Sequence, residues 1–319
     1  MPTGFAYAPA KAILIGEHAV VYGQPAIAVP LSGMRARVMV QALPLDKPRN
    51  LRIQAPDIGM DALFADLPAD NPHAKAVQLV LDALHISHTP TCLIRITSQI
   101  PVAAGLGSGA AIAVATLRAF SNFLGHPLED DDICQMAFEI EQLHHGTPSG
   151  IDNTVITYGK PVYFIKDNPI LVLKLQADLT LLVADTGIAK STVQTVARLR
   201  ADRLADPNYF DPIITRIGEV ATSARQAIES GNLRQLGQLM NENQVLLEKM
   251  HLSCPELDKL IAAARNADSL GAKLSGSGKG GHMLALVEEN SLETVQNALM
   301  EAGAQQVYRA NIQRSYPER

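Results

Sequence analysis

PVAAGLGSGAAIAVATLRAFSNFLG, residues 101–125, joins a glycine-rich turn to a helix, and the reading of the whole chain starts from that junction. Gly105, Gly107 and Gly109 let backbone amides turn toward a ligand with no Cβ in the way, and the following helix brings its positive N-terminal end to the same place. The string reads as a cradle for phosphate, against a competing reading as a plain turn before a core helix. From Ala110 to Leu124 the only charge is Arg118, which predicts a helix buried nearly all round and stopped by Gly125. A Walker A loop is excluded because no lysine followed by serine or threonine closes the turn. Gly105-Leu-Gly107-Ser-Gly109-Ala110 satisfies G-x-G-x-x-A, but the region that should hold a second strand and its acidic end is the helix itself and HPLEDDD.

Composition narrows the classes. The 319 residues are 47% hydrophobic with a net charge of −5, enough apolar content for ordinary cores in about two domains. No basic run could neutralise several phosphates of a polymer, so no nucleic-acid partner is expected. Cys92, Cys134 and Cys254 are odd in number and form no C-x-x-C, which fits a reducing compartment. The opening MPTGFAYAPAKAILIGEH is interrupted by Lys11 and Glu17 and carries no signal-peptide pattern, and no stretch reaches the roughly 18 apolar residues of a membrane span. A cytoplasmic protein with no membrane partner is the expectation.

Outward from the glycine turn, periodicity assigns the elements. Lys11–Gly16, Met34–Leu43, Leu51–Ala55 and Cys92–Thr97 read as strands, and His73–Leu84 reads as a helix. Asp130–His145 opens on three aspartates suited to a helix N-terminus and carries the stripe Ile133, Met136, Ala137, Ile140 and Leu143, with Glu141 at its edge. PVYFI, ILVLKL and LTLLVAD return to strand character before Asp185. Helices then dominate: Ile213–Ser230 and Leu233–Met250 flank a Gly-Asn turn, and Ser253-Cys-Pro-Glu256 reads as a capping box for a helix that runs to Leu270. A glycine-rich turn, a strand at His282–Val287, a helix at Ser291–Ala302 and a strand at Gln306–Ile312 close the chain. A boundary near residue 180 divides it into domains 1–180 and 181–319.

Three further strings carry chemistry. Ala8–Leu31 (APAKAILIGEHAVVYGQPAIAVPL) starts a strand near Lys11 and ends it at Gly-Glu17-His18. Glu141–Gly159 places Asp152, in a Gly-Ile-Asp-Asn turn ahead of a strand, eleven residues after Glu141, and paired carboxylates suit metal binding plus proton abstraction. His144 falls on the apolar stripe with no third ligand at a recognisable spacing, so His144 and His145 read as core or hydrogen-bonded histidines rather than a metal site. Lys273–Val287 (KLSGSGKGGHMLALV) holds Gly276, Gly278, Gly280 and Gly281 in a flexible turn between strands. Taken singly, each has an ordinary structural reading as an edge strand, a turn former or a hairpin connection.

Together and in this order, P-x-K-x-x-L-x-G-E-H, P-x-x-x-G-L-G-S-x-A-A and K-x-S-G-x-G-x-G-G resemble the GHMP kinase family over nearly the whole chain. GEHAVVYGQPAIAVPL and HHGTPSGIDN are most similar to the members that phosphorylate mevalonate. The resemblance implies an α+β fold of two domains: an N-terminal mixed-sheet domain with a left-handed βαβ crossover, and a C-terminal ferredoxin-like domain. It implies ATP-dependent phosphorylation of the mevalonate 5-hydroxyl with Mg²⁺, by a homodimer. The implied catalytic pair is Asp152 as base and Lys11 as charge stabiliser. Gly105, Leu106, Gly107, Ser108, Gly109 and Ala110 would wrap the nucleotide phosphates, Glu141 and Ser108 would hold the metal, and Glu17, His18 and Asp152 would face the substrate. Other readings within the fold are a kinase for phosphomevalonate or another mevalonate hydroxyl, and a non-catalytic ligand sensor. The sequence departs from the family pattern at Gly109, where a second serine is usual.

Overall fold

The computed structural model describes residues 3–44, 50–101, 105–145, 148–169, 171–188 and 192–314, and at 144, 145, 192 and 193 it describes the backbone alone. Val102–Ala104 of the first glycine turn, Gly146 and Thr147 lie outside the described residues. The chain falls into two compact units, one of residues 1–10, 34–101 and 107–159, the other of 11–33, 102–106 and 160–319. Two long strands, β1 (Thr3–Ile15) and β2 (Ala26–Ala42), pair with each other and contribute to both units.

In the first unit β2 pairs antiparallel with β5 (Cys92–Ser98), β5 pairs parallel with β3 (Leu51–Ala55), and β3 pairs antiparallel with β4 (Met60–Leu63). A parallel neighbour requires a crossover, and α1 (Pro72–Ala83) lies on the connection from β3 to β5. Alternation sets the buried face: Val38 and Val40, Ile53, and Ile94 and Ile96 are buried, between more exposed neighbours. Helices α2 (Ser108–Phe123), α3 (Asp130–His145) and α4 (Ile151–Tyr158) pack on one another. As expected for a helix with one charge, α2 is buried along most of its length. Its close seat has a sequence cause in Gly4, where a Cβ would lie 2.2 Å from the Ala119 carbonyl oxygen. Arg118 ties the group together by donating to Asp130 Oδ1 at 2.6 Å and to the Thr157 carbonyl near the end of α4.

In the second unit β2 pairs antiparallel with β6 (Val162–Phe164), and β6 with the two-residue β7 (Leu171–Val172), shorter than ILVLKL suggested. A four-stranded antiparallel sheet has the order β11 (Gln306–Ile312), β8 (Leu179–Asp185), β10 (His282–Val287), β9 (Gly271–Ser275). Helices α5 (Thr192–Ala205), α6 (Pro207–Ser230), α7 (Leu233–Lys249) and α8 (Pro255–Asn266) lie between β8 and β9, and α9 (Leu292–Glu301) between β10 and β11. That connectivity is the ferredoxin-like βαββαβ arrangement with an enlarged first crossover. Every residue of β10 is buried, which explains why HMLALV shows no alternation.

Two helix ends differ from the sequence reading. The capping box does not form: Cys254 is the N-cap of α8 in an extended conformation, and the Ser253 hydroxyl instead donates to Asp258 Oδ1 at 2.5 Å. Helix α8 stops at Asn266 rather than Leu270, because Leu270 and Gly271 are drawn into the sheet, the Leu270 amide bonding to the Leu286 carbonyl at 2.8 Å.

Helix α7 sits directly on the start of β9. A Cβ at Gly237 would lie 2.2 Å from the Leu270 carbonyl oxygen, and one at Gly271 would lie 2.1 Å from the Gly237 oxygen. Glycine to alanine inside a helix ordinarily gains about 1 kcal/mol. Here Gly237→Ala is expected to reverse that sign and lose about 1–3 kcal/mol, as for other overpacked sites, measured by urea unfolding. An unchanged or raised midpoint would show that helix and strand separate without cost.

Candidate active site

The second unit gathers the N-terminal charged string. Lys11 is buried in β1, and its backbone amide bonds to the Leu106 carbonyl at 3.0 Å. The strand ends at Gly16, whose φ of 102° and close contact with the backbone of Pro25 and Ala26 leave no room for a side chain. Glu17 and His18 follow, both buried, and His18 has a φ of 62°, a positive value that is costly outside glycine.

Each residue of this turn is tethered. The Gly16 amide donates to Asn243 Oδ1 at 3.2 Å, and Asn243 Nδ2 reaches Glu17 Oε2 at 3.5 Å. The Glu17 carboxylate forms an ion pair with the Lys273 ammonium, which also donates to the Leu274 carbonyl at 2.6 Å. Burial drives the Lys273 pKa downward, and Glu17 opposes the shift by favouring the charged form. His18 Nε2 lies 3.0 Å from the Gly276 carbonyl oxygen. A carbonyl only accepts, so the proton sits on Nε2 and Nδ1 is left as an acceptor. Burial lowers the His18 pKa to about 4, the bond to Gly276 opposing and the Lys273 charge adding to the effect. The ring is therefore neutral at pH 7.

Sequence reasoning assigned no role to Lys273, Asn243 or Gln244. The signal was present: Asn243 and Gln244 stand on the apolar stripe of α7 with Leu236, Met240 and Leu247, and Lys273 stands inside a strand buried at every position. Polar groups in such places are retained only when they are paired.

The glycine turn after β9 is pinned rather than flexible, which corrects the expectation. A Cβ at Gly278 would lie 1.9 Å from the Leu252 oxygen and one at Gly280 2.5 Å from the Ile188 oxygen. Lys279 Nζ donates to the carbonyls of His251 at 2.5 Å and Ser253 at 3.1 Å, and the Gly281 amide bonds to the Ile188 carbonyl at 2.8 Å. Gly276 faces Gly105, where a Cβ would lie 3.7 Å from the Gly276 Cα, so the two glycine strings meet backbone to backbone.

The first unit carries the remaining residues on α2, α3 and α4. Gly107, at φ 73°, is the N-cap of α2 with no side-chain cap, and the first helical bond runs from the Ala111 amide to the Gly107 carbonyl at 2.9 Å. The amides of Ser108, Gly109 and Ala110 thus lie outside the helical ladder, in the arrangement that receives phosphate oxygens. Glu141 is half-buried near the C-terminal end of α3, where the helix dipole disfavours a carboxylate. Asp152 is in the first turn of α4, not in a turn ahead of a strand: Gly150 at φ 81° starts a two-turn helix that the sequence reading did not anticipate. Asn153, next in the chain, fixes α4 to α3 by donating to the Cys134 carbonyl at 3.1 Å and contacting its sulfur at 3.2 Å.

Among the described residues no three His, Cys, Asp or Glu side chains form a metal cluster. The carboxylate of Glu141 and the hydroxyl of Ser108 are of the chemistry Mg²⁺ takes, an ion that keeps waters and substrate phosphates as its other ligands. They do not suit zinc.

The buried neutral histidine has a consequence for stability. Unfolded, His18 binds a proton near its ordinary pKa of 6.5, and folded only near 4, so the unfolded state takes up more protons between these values. The contribution is intact above pH 6.5 and falls away toward pH 4, by up to about 3 kcal/mol. Denaturant midpoints at pH 7.5 and 4.5 should drop less in His18→Gln, which keeps a donor for Gly276, than in the parent. An equal drop would assign the acid sensitivity to other groups.

The family model for the GHMP kinases N terminal domain matches residues 71–160, and that for the GHMP kinases C terminal matches residues 224–305. The mevalonate kinase of Thermococcus sibiricus is 35% identical, with 93% of each chain covered. That of Pyrococcus horikoshii is 37% identical, covering 93% of this chain and 92% of its own. The crystal structure of L. major mevalonate kinase in complex with R-mevalonate matches with a TM-score of 0.83 and 30% identity, over 97% of this chain and 96% of that one. The Methanococcus jannaschii mevalonate kinase structure matches with a TM-score of 0.84 and 27% identity, over 97% and 98%. With a family model matched in each half and relatives 35–37% identical over 93% of its length, the chain belongs to the GHMP kinase family.

Proposed function

We propose that this protein transfers the γ-phosphoryl group of ATP to the 5-hydroxyl of mevalonate. The observation that carries the reading is the uncapped N-terminus of α2, entered through left-handed Gly105 and Gly107, in a chain similar along its length to mevalonate kinases. In this reading Gly105–Ala110 wrap the nucleotide phosphates. Asp152 accepts the proton of the substrate hydroxyl as that oxygen bonds to the γ-phosphorus and the bond to ADP breaks. Lys11 stabilises the charge on the reacting oxygens. His18, with Glu17 behind it, lies on the substrate side, where a neutral ring can accept a hydroxyl hydrogen bond. Glu141 and Ser108 would hold Mg²⁺, whose contribution when bound is to neutralise charge on the β- and γ-phosphates.

The domain division at residue 180 is likewise a proposal, supported by the two family models falling one on each side. A homodimer is part of the same reading. No described helix is long and apolar enough to cross a membrane, and the three cysteines are free, which supports the cytoplasm as the compartment.

ADP release measured with mevalonate, phosphomevalonate and galactose tests the substrate: release with mevalonate alone is expected, and none with mevalonate sinks the reading. In the same assay Asp152→Asn should abolish turnover while ATP still binds, and near-normal turnover would remove Asp152 as the base.

Gly109 is exposed, and a Cβ there meets no atom within 4 Å, so the helix start accepts a serine unchanged. The parent should be active at millimolar Mg²⁺, with Gly109→Ser lowering the Mg²⁺ concentration needed for half-maximal rate. A parent inactive until Gly109→Ser restores turnover would show that Ser108 and water do not suffice.

A further inference from the structure

We propose that Lys273 is a positioning residue: its buried ion pair with Glu17, braced by Asn243, is a clamp that holds the His18 ring in place with Nδ1 as its acceptor. The proposal rests on the reading of His18 as a substrate-side residue and assigns what sets its geometry.

Glu17 and Lys273 are 2% and 0% exposed, so neither charge is solvated, and a buried ion pair returns little net stability once desolvation is counted. Its place in the fold is more informative than its energy. Three consecutive residues are tied to α7, to β9 or to the turn after it, each by a different kind of bond: Gly16 by its amide to Asn243, Glu17 by its carboxylate to Lys273, His18 by its ring to the Gly276 carbonyl. The middle tether is the ionic one. A positive φ at a buried histidine persists only where the surroundings over-determine it, and these bonds supply that determination. The far side is equally fixed, since Gln244 Oε1 accepts the Leu274 amide at 2.8 Å and Lys273 also holds the Leu274 carbonyl. Lys273 therefore joins the strand that leads into Gly276 to the turn that carries His18.

Removing one partner strands the other charge, so the informative variant replaces both by apolar side chains of similar volume, Glu17→Met with Lys273→Met, a change that buried pairs often tolerate. The first readout needs no substrate. In protein labelled with ¹⁵N-histidine the parent His18 should show one neutral tautomer, protonated at Nε2, down to pH 5, and the folded double variant should show mixed tautomers or protonation above pH 5. The second readout is kinetic: the KM for mevalonate should rise at least tenfold while the KM for ATP stays within twofold. A folded double variant with the parent's ring spectrum and both parental KM values overturns the clamp. If the double variant does not fold, Lys273→Arg decides, since it keeps a charge for Glu17 while changing the length and shape of the tether. A threefold or larger rise in mevalonate KM alone supports the clamp, and parental kinetics and spectrum overturn it. Should the parent fail to phosphorylate mevalonate, the functional reading falls and the ring spectrum alone judges the clamp.

Discussion

The Glu17 carboxylate and the Lys273 ammonium are 256 residues apart in the chain and meet where water does not reach. In such surroundings an uncompensated charge costs several kcal/mol, so each demands the other. This constraint fixes more than two side chains. It brings the turn after β1 against β9, sets α7 behind both through Asn243 and Gln244, and leaves the Gly276 carbonyl within reach of His18. Glycines make the approach possible. Gly237 and Gly271 let helix and strand come into backbone contact, and Gly16 lets the first strand turn sharply against Pro25 and Ala26.

The first unit solves a different problem, the placement of polar groups at helix ends. Gly107 caps α2 without a side chain, so amides that a serine or aspartate cap would have satisfied stay open to a ligand. Glu141 stands near the unfavourable end of α3, and Asp152 in the favourable first turn of α4. What holds these helices together lies away from those ends: Arg118 bridging Asp130 and the Thr157 carbonyl, Asn153 on the backbone of Cys134, and the Tyr158 hydroxyl on Asp131 at 2.5 Å. The one charge on an otherwise apolar helix thus finds its function at the far end of α4.

Local pattern was enough wherever one force dominated. Leu51–Ala55, Leu179–Asp185, His282–Val287 and Gln306–Ile312 are strands and Asp130–His145 is a helix at the residues periodicity named, because burial of one face, or of both, decided each of them. It failed where partners decided instead. Gly150–Asn153 carries turn residues, yet forms the start of α4 because Asn153 has a buried carbonyl to bond on α3. Ser253-Cys-Pro-Glu256 has a capping-box pattern, but Asp258 accepts the serine hydroxyl first. The second glycine string looked mobile, since glycine content reports the range of allowed backbones and not the carbonyls packed against them.

The sequence by itself determined most of the elements and the place of the glycine strings, and its three motifs carried the family resemblance, since each of these lies in residues close together in the chain. The tertiary structure alone decided the charge state and tautomer of His18, the partner of Lys273 and the reason Asn243 and Gln244 interrupt an apolar stripe. Those depend on which groups share a space without water, and residues hundreds of positions apart acquire that relation only on folding.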